Sequence, residues 1–209
     1  MTLIIFDFDG TLVDSKPFIK KCYIECAQKI KPELKEKAEK ILIGPTLQNT
    51  ILQILGHKNN NLFDDFFLNF KLIHDKKLHL YTKPFDGVEE ILKYLQKKNI
   101  LMSIATNKRE LPTKKLIKYL KWDNYFINII SIDSYKEINN KTKIVSKIIK
   151  GSPKNDVFMI GDTLNDYKAA KENNIKFIKA LWGYGKNDNW EDDACKITLK
   201  SIIDLKKIF

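Results

Sequence analysis

The sequence predicts an α/β protein with a parallel sheet that is covered by helices and interrupted after its first strand by an all-α segment. From Pro84 onwards, short apolar runs alternate with amphipathic helical stretches, the pattern of right-handed β-α-β crossovers. Residues 15–81 differ, because helical periodicity continues there between Pro and Gly breakers and favours no strand. We therefore expect a sheet-based core domain and an inserted helical cap.

The core is expected to contain five strands. The first, Leu3 to Phe6, is apolar on both faces, which is typical of a central parallel strand. The other strands are expected at residues 100–105, 126–132, 156–160 and 175–180. The helices that connect and follow them are expected at residues 84–99, 112–120, 141–149, 164–173 and 201–208. This alternation makes a Rossmann-like three-layer core, in which ligands bind outside the carboxyl ends of the strands.

The domain boundaries are predicted at the two ends of the strandless segment. Residues 1–15 and 82–209 would form the core domain, and residues 16–81 the cap. The cap is expected to contain four helices, at residues 17–30, 33–42, 46–55 and 62–77.

Composition and charge narrow the class of protein. The chain has 209 residues, 44% of them hydrophobic, and a formal net charge of +11. Its lysines are scattered and its one arginine is Arg109, which argues against nucleic-acid binding. No apolar run approaches the ~20 residues of a membrane span. The first strand begins by residue 3 and leaves no space for a signal peptide, so we expect a cytoplasmic protein; a monomer is the simpler expectation.

The three cysteines predict neither disulfides nor a zinc site. Cys22, Cys26 and Cys195 are an odd number, which argues against a disulfide framework. Cys22 and Cys26 would share a helix face, but no further Cys or His gives them a four-ligand pattern. We interpret these cysteines as small apolar residues.

The first strand ends at two aspartates and a glycine. Because side chains alternate along a strand, Asp7 and Asp9 emerge on the same side and share one small volume. Two carboxylates at such a short distance raise each other's pKa unless a cation lies between them. The pair therefore predicts either a metal site or an acid/base pair in which one carboxyl group is protonated and the other is ionised. The alternative is a strand end capped by turn-forming aspartates, since Asp-Gly is a common turn dipeptide.

Polar residues also follow two other predicted strands. Thr106 and Asn107 follow the second strand, and Asp162 follows the fourth, with Asp166 on the first turn of the next helix. Helix capping would explain Asp162 and Asp166 if they stood alone. The carboxyl ends of parallel strands meet at one edge of a sheet, however, so we expect these residues and the first two aspartates at a common site.

These motifs resemble those of the haloacid dehalogenase-like hydrolase superfamily, in particular its phosphoglycolate phosphatase-like members with a helical cap of the C1 type. The resemblance covers essentially the whole chain and rests on residues 7–15 (DFDGTLVDS), 105–107 (ATN) and 161–166 (GDTLND). It implies a phosphatase with Mg²⁺ as cofactor and a small-molecule phosphate monoester as substrate. Neither nucleic acid nor a membrane is expected as a partner.

The resemblance also implies catalytic roles. Asp7 would attack phosphorus to form an aspartyl-phosphate, and Asp9 would protonate the leaving alkoxide and then deprotonate the hydrolytic water. The family further requires a lysine beside the nucleophile. Lys141 and Lys143 both stand near the start of one predicted helix, and their spacing from the apolar pairs that follow favours Lys141.

Phosphate and metal ligands follow from the same resemblance. The expected phosphate-binding residues are Gly10, Thr106, Asn107 and Lys141. The expected metal-binding residues are Asp7, Asp9 through its backbone carbonyl, Asp162 and Asp166, the last directly on a metal-bound water or by orienting the others. Thr106 would be counted among the catalytic residues as well.

The core motifs leave several activities open. A phosphomutase of the β-phosphoglucomutase type uses the same aspartyl-phosphate, and a pyrophosphatase or nucleotidase would need the same core residues. Asp9 argues against dehalogenation, which has no leaving alkoxide to protonate. The complete set of Asp7, Asp9, Thr106 and Asp162 disfavours a non-catalytic binding protein on this fold.

Overall fold

The computed structural model describes residues 1–151, 156–190 and 196–209. The chain forms two compact units. One unit consists of Met1–Asp14 and Lys83–Phe209, and the other of Ser15–Thr82. In the described part of the chain, no helix combines the length and the apolar character that crossing a membrane requires.

A parallel sheet forms the centre of the first unit. The strands are β1 (Leu3–Phe6), β2 (Val13–Asp14), β3 (Lys83–Pro84), β4 (Leu101–Thr106), β5 (Asn128–Ser131), β6 (Val157–Gly161), β7 (Lys176–Ala180) and β8 (Ile197–Leu199). Six of them form one sheet in the order β5-β4-β1-β6-β7-β8, and every neighbouring pair is parallel. The expected α/β fold with a parallel sheet is confirmed.

Helices alternate with these strands and dominate the second unit. The α-helices are α1 (Lys16–Ile30), α2 (Lys35–Lys40), α3 (Leu47–Leu55), α4 (Phe63–Tyr81), α5 (Val88–Lys97), α6 (Glu110–Tyr119), α7 (Lys141–Ile148) and α8 (Leu164–Glu172). Helix α6 begins earlier than expected, because Pro112 lies in its first turn, where its missing N–H has no intrahelical partner to lose.

The central strand is buried because all four of its residues are apolar. The residues of β1 are 0–4% exposed, and β1 pairs with β4 on one side and β6 on the other. Ile5 belongs to a buried cluster with Met159 of β6, Ile144 and Val145 of α7, and Ala169 of α8. An apolar run without alternation thus places β1 where both faces of the sheet are covered.

Four short elements differ from expectation. The sequence does not predict β8, nor the antiparallel pairing of β2 with β3, in which Val13 faces Pro84. Strands of two or three residues are too short to show periodicity, and Pro84 disfavours a strand although an edge position tolerates it. The helix expected over residues 201–208 is a 3₁₀ helix, Ile202–Lys207.

The second unit packs around stacked aromatic rings. The rings of Tyr23 and Phe70 stack with their centroids 4.5 Å apart, and those of Phe18 and Tyr81 with theirs 5.0 Å apart. Cys22 and Cys26 are buried free thiols in this unit, and burial raises the pKa of Cys26 to about 12, so its reactive thiolate is scarce. Cys195 lies outside the described residues.

Ile5→Ala is expected to lower the free energy of unfolding by about 2–5 kcal/mol, because it opens a cavity at a fully buried position of the central strand. Leu111→Ala is the control, since Leu111 is 68% exposed and should change the free energy of unfolding by no more than ~0.5 kcal/mol. Urea denaturation measures both. Similar losses in the two variants would contradict the central position of β1.

Candidate active site

Three neighbouring strands end at the candidate active site. β4, β1 and β6 lie side by side, and Thr106, Asp7 and Asp162 stand at or directly after their carboxyl ends. The amide of Asp7 donates to the carbonyl of Ile160 at 2.8 Å and so continues the pairing of β1 with β6. The sheet therefore fixes the backbone from which the first aspartate projects.

A buried lysine connects two of the aspartates. Lys141 Nζ donates to Asp7 Oδ1 at 2.6 Å and to Asp166 Oδ1 at 2.5 Å. Lys141 is the first residue of α7, and the side chain of Asn140 caps that helix. Lys143 is exposed, and its Nζ donates to a backbone carbonyl at 3.3 Å. The structure thus places Lys141, and not Lys143, beside the aspartates.

Asp7, Asp162 and Asp166 form a carboxylate cluster. One oxygen from each lies within 4.8 Å of the others, and the three residues are 5%, 1% and 0% exposed. When all three are ionised, they carry three negative charges against the single positive charge of Lys141, an excess of two. A divalent cation that prefers oxygen ligands fits both this charge and this set of donors.

The pKa values reflect this crowding. Burial, and after it the charge of Asp166, raises the pKa of Asp7 well above its ordinary value. The same two causes raise the pKa of Asp162 to about 7. Burial alone would lower the pKa of Lys141, but the charges of Asp166 and Asp7 outweigh it and raise that pKa. A bound cation would counteract the shifts of the two aspartates, because it stabilises their ionised forms.

Hydrogen bonds orient the two aspartates that follow β6. Asp162 accepts from Thr11 Oγ1 at 3.1 Å and from the amide of Tyr184 at 2.6 Å. Asp166 Oδ2 accepts from the amide and the hydroxyl of Thr163, at 2.9 and 2.7 Å, in a capping box at the start of α8. Helix capping therefore also orients the cluster, and both oxygens of Asp166 accept hydrogen bonds.

Glycines allow the backbone to approach these carboxylates. A Cβ added to Gly161 would overlap the side chain of Asp166, and one added to Gly183 would overlap that of Asp162. Gly10 has a φ of +98°, which favours glycine, and an added Cβ there would lie 2.5 Å from Asp162 Oδ2. Larger residues at these positions would displace the carboxylates.

Asp9 has a cation of its own. Lys108 Nζ donates to Asp9 Oδ1 at 3.1 Å and to Asp9 Oδ2 at 3.0 Å. The amide of Lys108 donates to Thr106 Oγ1, also at 3.1 Å. Thr106 is buried and Asn107 is half-buried. Two of the expected phosphate-binding residues thus lie within two positions of the partner of Asp9 in the sequence.

Three further residues contact the site in ways that sequence reasoning does not predict. In a lysine-rich chain, Lys108 is predicted to be solvent-exposed, although its position shortly after the end of a strand could have indicated a place near the site. The contact of Thr11 with Asp162 spans 151 positions of the sequence. Tyr184 contacts the site through its backbone amide, and a contact of this kind cannot be predicted from the type of side chain.

The family model for the haloacid dehalogenase-like hydrolases matches residues 4–180. This match spans most of the chain and includes the carboxylate cluster, Lys141 and Asp9. The chain therefore belongs to the haloacid dehalogenase-like hydrolases.

The relatives of the chain include phosphatases. The phosphoglycolate phosphatase of Aquifex aeolicus is 28% identical over 212 residues, 100% of this chain and 96% of that protein. The pyrophosphatase PpaX of Halalkalibacterium halodurans is 23% identical over 184 residues, 87% of this chain and 83% of that protein. The crystal structure of a predicted phosphoglycolate phosphatase from Haemophilus somnus has a TM-score of 0.88 at 20% identity, covering 100% of this chain and 97% of that one. The structural likeness shows the fold, and the sequence relatives place the chain among the phosphatases of the family.

Gly183→Ala is expected to lower phosphatase activity by about 10²-fold, because the added methyl group would displace the carboxylate of Asp162. The measurement is kcat/KM on a phosphate ester that the wild type hydrolyses, with circular dichroism to verify the fold. Gly151→Ala is the control, since a Cβ there meets no atom of the described residues within 4 Å but the φ is +85°. It should lower the free energy of unfolding by ~1 kcal/mol and leave kcat/KM unchanged. Equal activity of both variants would contradict the packing argument.

Proposed function

We propose that the protein is a Mg²⁺-dependent phosphatase that hydrolyses a small-molecule phosphate monoester, such as phosphoglycolate, through an aspartyl-phosphate on Asp7. The observation that carries this proposal is the contact of Lys141 with both Asp7 and Asp166, in one cluster with Asp162. An anionic nucleophile approaches an anionic phosphate ester only where positive charge lies beside both. Lys141 supplies part of that charge, and a divalent cation would supply the rest.

Two displacements account for the reaction. In the first, Asp7 forms a bond to phosphorus while the ester P–O bond breaks, and Asp9 gives its proton to the departing alkoxide. In the second, water attacks phosphorus and gives a proton to Asp9, while the bond between phosphorus and Asp7 breaks and releases inorganic phosphate. Asp7 is then again a carboxylate and Asp9 again an acid.

Asp7, Asp162 and the backbone carbonyl of Asp9 would hold the Mg²⁺. The hydrogen bonds to both oxygens of Asp166 support an indirect role for that residue, through a metal-bound water or by orienting the other ligands. When bound, Mg²⁺ neutralises charge on the phosphoryl group. The phosphoryl oxygens would be bound by Gly10, Thr106, Asn107 and Lys141.

The substrate is proposed from the relatives and from the motifs together. Similarity to a phosphoglycolate phosphatase favours phosphoglycolate or another small phosphate ester as the substrate. Similarity to pyrophosphatase PpaX makes pyrophosphate the second candidate. Residues 16–81 would act as the cap that excludes water and discriminates between substrates. A phosphomutase would instead return the phosphoryl group to a second hydroxyl, so release of inorganic phosphate distinguishes the two.

Asp7→Asn is expected to reduce phosphate release to background, because a carboxamide does not form the acyl-phosphate. The assay uses phosphoglycolate, a sugar phosphate, a nucleotide and pyrophosphate, each with Mg²⁺ and with chelator. Asp123→Asn, at an exposed aspartate, is the matched control and should keep wild-type activity. The mechanism is wrong if Asp7→Asn remains active or if wild-type activity survives chelation.

Mg²⁺ is expected to raise the melting temperature more at about pH 8 than at about pH 5.5. The pKa of Asp162 is raised from 3.8 to about 7 without metal, so the stability that protonation of the folded state contributes is lost as the pH rises through that range. At the higher pH, Mg²⁺ meets an ionised Asp162 and does not have to displace its proton. Thermal melts test this, with Asp162→Asn as the variant in which the pH dependence should shrink, since Asp7 still has a raised pKa there. An equal Mg²⁺ effect at both pH values would contradict the assignment.

A further inference from the structure

A second buried lysine lies beside the candidate acid/base residue. In the described part of the chain, the buried lysines are Lys108 and Lys141, and both make ion pairs at the candidate site. The side chain of Lys108 is 5% exposed and that of Asp9 is 16% exposed. Lysine side chains lose much rotamer freedom on burial, so a lysine buried in a lysine-rich chain needs a specific partner. Asp9 is that partner.

Lys108 is fixed at both ends. Its amide donates to Thr106 Oγ1 at 3.1 Å, at the carboxyl end of β4. Its Nζ donates to the two oxygens of Asp9, at 3.1 and 3.0 Å. A lysine held at its backbone and at its ammonium group in this way connects the expected phosphate-binding residue of β4 to the carboxylate that follows β1.

We infer that Lys108 is a positioning residue that holds the carboxyl group of Asp9 in the orientation for proton exchange with the leaving-group oxygen. This inference rests on the proposed function, in which Asp9 is the acid and base. The ammonium group of Lys108 donates to both oxygens of Asp9, so it fixes the plane of the carboxyl group from which Asp9 would give a proton to the leaving oxygen and take one from water. The ion pair also restricts the side chain of Asp9 to one orientation. Proton transfer requires such a fixed orientation, because the donor and the acceptor must lie at hydrogen-bond distance.

Lys108 and Lys141 contact different carboxylates of the site. Lys141 contacts Asp7 and Asp166, whereas Lys108 contacts Asp9. The lysine role that the family resemblance requires, beside the nucleophile, is filled by Lys141. Loss of Lys108 should therefore affect the proton transfer of the first displacement rather than the attack by Asp7.

The experiment compares two leaving groups in wild type and in Lys108→Met, by kcat/KM with Mg²⁺. This parameter reports the first displacement, in which the leaving group departs. An alkyl phosphate needs protonation of its leaving oxygen, whereas p-nitrophenolate departs with little help. Lys108→Met should lower kcat/KM for the alkyl phosphate by about 10²-fold, the lower end of what general acid–base catalysis contributes. The loss for p-nitrophenyl phosphate should be at least about tenfold smaller, because that ester needs little of this contribution.

Three variants serve as controls. Lys108→Arg retains a cation and should recover most of the activity on the alkyl phosphate. Lys118→Met, at an exposed lysine of α6, should leave both esters unaffected. Asp9→Asn combined with Lys108→Met should be no slower on the alkyl phosphate than Asp9→Asn alone, because Lys108 acts through Asp9. Circular dichroism and thermal melts verify each fold, and Lys108→Gln replaces Lys108→Met if the latter does not fold.

The possible results separate this inference from the proposed function. Equal losses for both esters, or a further loss in the double variant, would overturn the role of Lys108 while leaving the phosphatase mechanism intact. A rise in KM of similar size for both esters would assign Lys108 to phosphate binding instead and would also overturn it. Absence of turnover by the wild type on every ester would overturn the proposed function, and the role of Lys108 with it.

Discussion

The contact of Lys141 with Asp7 and Asp166 is the interaction on which the rest of the site depends. Three carboxylates within 4.8 Å of one another, all almost completely buried, repel each other strongly unless cations lie among them. Breaking a buried ion pair by removing one partner typically costs about 3–5 kcal/mol, because the other charge stays buried without compensation. Lys141, at the start of α7, therefore offsets part of this repulsion where β1 ends and α8 begins. The shape of the site follows from this balance of charge.

Close packing of the backbone also holds the carboxylates of the cluster in place. Gly161 and Gly183 have no side chain at the two positions where one would displace Asp166 or Asp162. The segment after β7 also supplies the Tyr184 amide, which donates to Asp162 at 2.6 Å. A fourth strand end therefore contributes to the site although it contributes no catalytic side chain. Such support fixes the carboxylates before any ligand arrives, which is the preorganisation that electrostatic catalysis requires.

The sequence predicts the elements that local patterns determine and misses those that depend on distant partners. The sequence predicts β1 and the role of Asp7 directly after it. A central parallel strand has no polar face, and ligands bind at its carboxyl end. The spacing that the family resemblance implies along α7 also favours Lys141 over Lys143. In contrast, β8 is too short for periodicity, and the roles of Lys108 and Tyr184 depend on which strand ends become neighbours. Local pattern alone carries no information about such contacts.

Charge accounting extends from the cluster to the whole site. Asp7, Asp9, Asp162 and Asp166 carry four negative charges when ionised, and Lys108 and Lys141 return two positive ones, so the site retains an excess of two. One divalent cation would bring the total to zero, and the proton that Asp9 carries before the first displacement would make it positive. A site of zero net charge no longer repels a phosphate dianion, and the formal charge of +11 on the chain favours its approach. Among the described residues, the buried lysines are Lys108 and Lys141, and each contacts a carboxylate of the site, so the charge that attracts the phosphoryl group is local rather than the net charge of the chain.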